Sequence, residues 1–453
     1  FAPEWATVVA IEASRFDAGT AYVVFDAHRL DDETPYIWKT DNYGRTWNSI
    51  VSGLDSEIYL KVVREDTKKQ GLLYLGTERG VMVSHDDGEN WESLRLNMPT
   101  VAIADLAVAG DDLVVGSLGR AAYVLDDLTP IREMSGEIED TAAKLFKPLD
   151  AIRWTYASAP EGGGAGTTKN PAEGVSFTYY LKQEPEDEVS LVVLNANGNV
   201  VRTLSSVLED PHLAPDHPDA NPDQDRKADL SKNKGFNRAS WDLTHQGATR
   251  IPGSPNDAGN MNIGPKVASG EYRVRLTVNG DNYEQALTVL PDPRSDAPVE
   301  NILAQISFLL DVRDRITLIA EDAVRIRALK EQLNGYQVRL GDESSADRLL
   351  NLGIEAAVGL RNVELALYNP DAKVNYDVLR GIHGGAKLYS RYGWLYRTSM
   401  DHNGPPTQGM AEVNAELTAL HNESIAELER ILSEDIARIN SLARELGIDY
   451  VVN

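Results

Sequence analysis

An eight-residue phrase occurs twice in this 453-residue chain, as TDNYGRTW at residues 40–47 and SHDDGENW at residues 84–91. Both copies place a hydroxyl residue first, Asn or Asp two positions later, then Gly and Trp at fixed offsets. Each copy follows a short apolar run. This arrangement predicts a strand, a tight turn and a returning strand.

The residue types in the phrase explain why it predicts a turn. The hydroxyl and Asx side chains can bond backbone groups inside the turn, and Gly takes a conformation closed to other residues. We expect Trp to pack between neighbouring hairpins. The phrase is therefore structural and carries no chemistry. Its eight structural positions are Thr40, Asn42, Gly44, Trp47, Ser84, Asp86, Gly88 and Trp91.

The phrase is similar to the Asp-box, or BNR repeat, S/T-x-D/N-x-G-x-x-W, which sialidases and sortilin-type receptors carry on the periphery of β-propellers. Three blade-like units can be aligned with a period of about 40 to 45 residues, the length of a four-stranded blade. The third unit runs into YVLDDLTP at 123–130 and loses its box. The resemblance implies a partial Asp-box β-propeller of about three blades over residues 1–147.

Three blades are too few for a closed ring, because propellers usually have four to eight, and an open array leaves sheet edges bare. We therefore expect the missing blades to come from upstream residues or from a companion chain. The first residues, FAPEW, show neither an initiating Met nor the basic and apolar parts of a signal peptide.

Composition excludes several classes of function. The net charge is −26, with 70 acidic against 44 basic residues, which argues against binding to nucleic acid or to an anionic membrane surface. The absence of Cys excludes disulfides, thiol catalysis and zinc-thiolate sites. No apolar run is long enough to predict a transmembrane span.

The middle of the chain changes to a period of two. A glycine-rich stretch within 148–173 predicts a linker, and alternating strands over 174–291 predict a β-sandwich. The segments LVVLNANGNVVRTL, GFNRASWDL and SGEYRVRLTV resemble the immunoglobulin-like (Ig-like) domain of the flagellar hook-capping protein. That resemblance implies a spacer or docking module without catalytic residues.

An acidic insertion at 209–229 interrupts this region. Its carboxylates at Asp216, Asp219, Asp223 and Asp225 are weak calcium candidates, and His212 and His217 raise zinc as a further alternative. The spacing fits no EF-hand, since the required Gly and closing Glu are missing. A solvated loop is the remaining interpretation, and we assign neither a metal nor a cofactor.

The final region, 298–453, has the three- and four-residue apolar spacing of helices. We predict one helix from about Ile302 that stops at Asn334-Gly335, a second over 346–368, and a third over 408–446 capped by Gly447. Three helices with one apolar stripe each would form a C-terminal antiparallel helical bundle. The whole chain is thus predicted to be a multidomain β plus α protein.

An aromatic and basic segment, YSRYGWLYR, lies at 389–397 between the last two predicted helices. Arg391, Trp394 and Tyr396 are candidate residues for binding a sugar or a partner peptide. The alternative is that these aromatics pack on the helices as part of a bundle connection.

The order of regions, with VVGSLGRAAYVLDDLTPIRE at 114–133, resembles the C-terminal half of bacterial exported sortilin-type or BNR-repeat glycosyl-hydrolase-like proteins. The resemblance implies a periplasmic or extracellular location and partners among envelope proteins or glycans. Leu118 stands where members commonly have His, so a role for that His does not carry over.

Glycosidase chemistry of the sialidase kind needs an arginine cluster, a tyrosine nucleophile and an acid/base carboxylate. These cannot be assembled from the blades present, so we predict no catalytic residue. The favoured hypothesis is a non-catalytic exported binding or scaffold protein that uses its propeller as a platform for a protein, peptide or glycan. The alternative is a glycosidase whose active site lies in blades absent from this chain.

Overall fold

A computed structural model describes most of the chain as a β-rich region with several sheets followed by a helical C-terminal region. The described residues are 3–134, 138, 140–155, 173–208, 228–255, 261–340, 346–381, 384–400 and 404–448. The chain divides into two compact units. The first comprises Phe1–Leu149, Thr178–Gln183 and Lys234–Phe236, and the second comprises Asp150–Phe177, Glu184–Asn233 and Asn237–Asn453.

The first unit contains three antiparallel sheets in which strands adjacent in sequence are adjacent in the sheet. The first sheet comprises β1 (Thr7–Ala13), β2 (Ala21–Asp26), β3 (Tyr36–Thr40) and β4 (Asn48–Ser49). The second sheet comprises β5 (Leu60–Glu65), β6 (Leu73–Thr77), β7 (Gly80–Ser84) and β8 (Glu92–Ser93). The third sheet comprises β9 (Ile103–Ala109), β10 (Asp112–Ser117) and β11 (Ala122–Leu125).

The three sheets repeat one another down to a strand irregularity. In each, the first strand carries one extra residue at the same place: Val9, Lys61 and Ala104. Such a bulge shifts the register by one residue. Because it recurs at one position, the pairings on either side of it define which residues are equivalent in the three sheets.

Apolar side chains fill the space between successive sheets. A first cluster joins the first and second sheets, and a second cluster joins the second and third. Alternate residues along the strands of the second sheet contribute to the two clusters, as the period of two requires. Leu73 and Leu75 belong to the first cluster, and Tyr74 belongs to the second. The second sheet is therefore buried on both faces.

The chain leaves the third sheet through a short helix, α1 (Thr129–Glu133). It then forms β12 (Ala143–Leu145), which pairs antiparallel with the end of β14 (Val175–Leu181). At the corresponding position in the sequence, each of the first two sheets has the turn formed by the eight-residue phrase, here called the box turn, and then a returning strand.

The second unit contains a five-stranded sheet in the order β13-β21-β20-β15-β16 and a smaller pair, β18 with β19. The strands of this part of the chain, including β17, are β13 (Ala151–Ile152), β15 (Ser190–Asn195), β16 (Val200–Ser205), β17 (Gly235–Trp241), β18 (Thr244–Gln246), β19 (Ile263–Lys266), β20 (Gly270–Val278) and β21 (Asp281–Leu290). Strand β13 lies within the segment 148–173 that we expected to be a linker. It pairs in parallel with β21, so that part of the segment belongs to the sheet.

The C-terminal region is helical. Its helices are α2 (Val299–Leu340), α3 (Asp347–Leu367), α4 (Asn375–Leu379), α5 (Leu388–Met400), α6 (Gln408–Arg430) and α7 (Ala437–Glu445), with a π-helix at Ile431–Ile436 between the last two. No helix among the described residues is both long and apolar enough to cross a membrane.

The prediction that Asn334-Gly335 stops the first helix is wrong, because α2 is a continuous helix of 42 residues. Leu333 and Tyr336, on either side of that pair, are both buried in the helical core. Glycine inside a helix costs only about 1 kcal/mol relative to alanine, and burial of these two side chains exceeds that cost.

The helical core also takes in residues from the sheet region of the same unit. Ala248, Ile251 and Met261, from the connection between β18 and β19, are buried among the helix side chains. Arg327 of α2 donates to the carbonyl of Pro252 at 2.6 Å. The connection between β18 and β19 is therefore part of the helical core.

Candidate functional site

The two phrases form turns with the same hydrogen bonds. Thr40 Oγ1 accepts the backbone N–H of Gly44, and Ser84 Oγ accepts that of Gly88, each at 2.9 Å. Both hydroxyls are buried. These bonds satisfy amide groups that the turn would otherwise leave without a protein partner.

The Asx residues make the second set of bonds. Asn42 Oδ1 accepts the N–H of Thr46, and Asp86 Oδ1 accepts the N–H of Asn90, again each at 2.9 Å. Burial alone would raise the pKa of Asp86, but hydrogen bonds from Asn90 and from Ser84 hold that pKa below its ordinary value. The side chains therefore determine a turn and are fully engaged in it.

The two tryptophans have different surroundings. Trp91 is buried between the first two sheets, and its indole N–H donates to the carbonyl of Ile50 at 2.7 Å. Gly88 has φ +90°, and a β-carbon there would stand 2.5 Å from Ile50 Cδ1. Trp47 is only half-buried and lies against Gly44 of its own turn. The second turn therefore packs against the preceding sheet.

Polar contacts also join the first sheet to the second. Asp87 accepts from the hydroxyl of Tyr22 and from Lys39, both at 2.5 Å, which links the second turn to the first sheet. Lys61 of the second sheet donates to Asp26 of the first at 2.5 Å. Burial and then the bond to Asp87 raise the pKa of the Tyr22 hydroxyl. These groups are occupied with one another and hold the array together.

The outer face of the first sheet, the face away from the second sheet, is open. We define it by Val8 and Ile11, which are 49% and 68% exposed. Their equivalents in the second sheet, Leu60 and Val63, are both 0% exposed, and the equivalent pair in the third sheet is also buried. The same apolar positions are therefore covered twice inside the array and uncovered at its first sheet.

The outer face of the third sheet is open as well. It carries small apolar residues that are exposed or half-buried: Val114, Gly116, Ala122 and Val124. Their equivalents in the second sheet, which face the third sheet, are all buried: Tyr74, Gly76, Val81 and Val83. Two kinds of sheet face pack against each other between the three sheets. The first sheet exposes one kind on its outer face, and the third sheet exposes the other.

The candidate residues Arg391, Trp394 and Tyr396 all lie on α5, so the segment is a helix and not the connection that we predicted. Tyr396 is buried and donates to the carbonyl of Ile263 at 3.0 Å, and burial raises the pKa of its hydroxyl. Trp394 is 40% exposed, and the Arg397 guanidinium lies 5.4 Å from its ring centre. The candidates therefore divide between the core and the surface.

A groove of about 410 Å³ runs between α5 and α6 beside Trp394. Its lining is mostly apolar and consists of Arg391, Trp394, Leu395, Thr398, Gly409, Met410 and Val413. Arg391 pairs with Glu416 at 2.8 Å. Helical spacing in the sequence could have separated these residues, because Tyr389, Tyr392 and Tyr396 fall on one face and Trp394 does not.

The weak calcium candidates Asp216, Asp219, Asp223 and Asp225 lie outside the described residues. Within the described ranges, no three His, Asp or Glu side chains are grouped so that they could hold a metal ion.

Comparison with known proteins gives no family. The sequence matches no protein-family profile and no curated protein. Among solved structures, YCF48 bound to the D1 peptide is 12% identical, with 62% of this chain and 67% of that chain covered and a TM-score of 0.21. The GH74 enzyme of Niastella koreensis is 14% identical, with 62% and 38% covered and a TM-score of 0.22.

The GH74 xyloglucanase from Xanthomonas campestris gives the same identity, coverage and TM-score as the Niastella enzyme. The match thus spans 38% of the length of each GH74 chain. At these identities and TM-scores, the matches establish neither a shared fold nor a shared function.

Proposed function

We propose that this chain is a non-catalytic binding or scaffold protein whose three sheets are part of an Asp-box β-propeller completed by further sheets. The observation that carries the proposal is the pair of open sheet faces at the two ends of the array. Positions that are covered in two of the three sheets are exposed in the first sheet.

The apolar side chains on these faces indicate what kind of surface would cover them. Full burial of one aliphatic side chain contributes about 1.5 to 3 kcal/mol, so exposed Val8 and Ile11 favour a covering surface. Inside the array, the surface that covers these positions is always the face of another sheet of the same repeat. A further sheet of this kind fits the outer face of the first sheet, and another fits that of the third.

Continuation at both ends by sheets of one kind favours closure into a ring, which removes both open faces. The further sheets come from upstream residues or from a companion chain. In this proposal the completed propeller presents loops to a protein, peptide or glycan in the periplasm or outside the cell. The second unit, an Ig-like sandwich with a helical bundle, serves as the docking part.

Photo-cross-linking tests the proposal on the full chain in the cells that make it. A benzophenone amino acid replaces Ile11, and a matched chain carries it at Leu96, which is equally exposed but lies outside the open faces. We expect the Ile11 adduct to contain a peptide from a sheet bearing the S/T-x-D/N-x-G-x-x-W phrase, and the Leu96 adduct to lack one. The proposal fails if Ile11 gives no adduct, or one with any other sequence.

The proposal that the protein is non-catalytic needs a separate measurement on the assembled protein. We expect no turnover of a fluorogenic sialoside or of xyloglucan by the purified assembly. Turnover that follows the assembly through purification would instead support the glycosidase alternative.

A further inference from the structure

We infer that the free edge of β11 is a pairing site for an extended strand from a polypeptide outside the described residues. The first two sheets have four strands each, whereas the third has three among the described residues. This inference rests on the proposed function only for the source of the strand. The edge itself is a separate observation from the open faces.

The sister sheets show which backbone groups the missing strand would meet. The carbonyl of Ile37 accepts the N–H of Ile50 at 3.2 Å, and the carbonyl of Val81 accepts the N–H of Leu94 at 2.8 Å. The register makes Ala122 the equivalent of Ile37 and Val81. No described residue supplies the Ala122 carbonyl with a matching donor from a fourth strand.

The local sequence explains why the chain does not supply this strand itself. Leu125 stands at the position of Thr40 and Ser84, so the hydroxyl that closes the box turn is missing. The chain enters α1 instead, where Leu128 donates its backbone N–H to the carbonyl of Asp111 at 2.7 Å. Arg132 then holds α1 to the array.

The contacts of Arg132 make this path stable. Its Nε lies 3.0 Å from the buried carboxylate of Asp66, and its Nη1 lies 2.5 Å from Asp111. Removing one partner of a buried ion pair is strongly destabilising. The helix therefore does not readily give way to a returning strand, and the edge stays open to a strand from elsewhere.

The edge of β11 lacks two of the features that normally protect an exposed strand, charge and proline. Edges are usually kept short or carry charges or proline. The outer strands of the sister sheets, β4 and β8, are two residues long. Strand β11 is longer, and its sequence, AYVL, has neither charge nor proline. Such an edge is suited to pairing.

The occupant that we propose is a short antiparallel strand from the polypeptide that supplies the further sheets. The sister strands define its chemistry as two exposed polar residues followed by a partly buried aliphatic one. They are Asn48-Ser49-Ile50 and Glu92-Ser93-Leu94. The N–H of the aliphatic residue would donate to the Ala122 carbonyl.

Disulfide trapping tests this edge in the full chain, which contains no Cys. Val83 faces Glu92 in the second sheet, and Val124 is the equivalent of Val83. The chain therefore carries Val124→Cys, and the probe is the peptide ENWCSLRLN, residues 89–97 with Glu92→Cys. A control peptide has Leu94→Pro, which removes the donor N–H. A control chain carries Val200→Cys on the exposed edge strand β16.

At Val124→Cys we expect the first peptide to form the disulfide roughly tenfold faster than the proline peptide, because pairing raises the local thiol concentration. At Val200→Cys the two peptides should react equally fast. Equal rates at Val124→Cys would overturn the inference. Fluorescence anisotropy of the labelled Cys-free peptide with the unsubstituted chain gives the same comparison without a substitution in the fold.

This outcome is independent of the proposed function. Trapping at Val124→Cys without a sheet adduct at Ile11 would leave the pairing edge standing and remove the propeller proposal. A sheet adduct at Ile11 without selective trapping at Val124→Cys would overturn the inference about the β11 edge and leave the propeller proposal standing.

Discussion

The hydrogen bond accepted by the buried hydroxyl is common to the two box turns. Ser84 and Thr40 are buried, and each accepts the amide of the glycine four residues later. The third sheet has Leu125 at the same position, and there the chain enters a helix instead of a turn. Thr129 and Arg132 also stand there in place of the Gly and Trp of the phrase, so the third sheet lacks three of the residues that form the turn.

The substitution Ser84→Ala tests this at residue scale. It leaves the buried N–H of Gly88 without its acceptor, so we expect the free energy of unfolding to fall by about 1 to 3 kcal/mol. The matched substitution Ser93→Ala removes an exposed hydroxyl in β8 and should change it by less than about 0.5 kcal/mol. Urea denaturation followed by tryptophan fluorescence measures both, and equal effects would contradict the assignment.

Helix α5 shows how neighbouring elements change what a segment becomes. Seven of its 13 residues are Tyr, Ser, Gly or Trp, which are poor to moderate helix formers. It is nevertheless helical, because Tyr389, Tyr392 and Tyr396 are buried in the core formed with the other helices. Packing supplies what intrinsic propensity does not.

Alanine substitutions in α5 separate packing from surface roles. Tyr396→Ala removes a fully buried ring and its hydrogen bond to Ile263, so we expect a loss of about 3 to 5 kcal/mol. Trp394→Ala removes a half-exposed ring with one cation–π contact and should cost only about 1 kcal/mol. Thermal melts followed by circular dichroism compare them. Equal destabilisation would contradict the placement of Trp394 at the surface.

At the scale of the whole molecule, the chain consists of two compact units, and the second contains both sheets and helices. The connection between β18 and β19 lies where these two parts meet. His245 lies in β18, just before this connection, and burial, then the charge of Arg313, lower its pKa to about 4. The stability of this unit should therefore depend on pH.

The direction of the pH dependence follows from the lowered pKa of His245. An unfolded chain binds a proton at His245 below about pH 6.5, whereas the folded chain binds it only near pH 4. Between these values the unfolded state holds more protons, so the free energy of unfolding falls as the pH falls from about 6.5 to 4. Urea denaturation across this range should show a smaller fall for His245→Gln than for the unsubstituted chain. Identical pH profiles would rule out His245 as a contributor.

Much of the local structure could be predicted from the sequence. The box turns depend on atoms within eight consecutive residues, and the strands and helices follow from apolar periods of two and of three to four. Gly447 ends the last helix with φ +69°, as its position predicts. The continuation of α2 through Asn334-Gly335 could not be predicted in this way, because it depends on distant side chains that bury Leu333 and Tyr336.

The sequence by itself determined that the chain repeats a strand–turn–strand unit, because the hydrogen bonds that make each turn are local. Only the tertiary structure decided that Trp91 is buried while Trp47 is half-buried, and that Val8 and Ile11 are exposed at positions covered in the other sheets. Burial depends on what stands opposite a residue in space, and that neighbour belongs to another sheet. The repeat is therefore visible in the sequence, whereas its open ends are visible only in the fold.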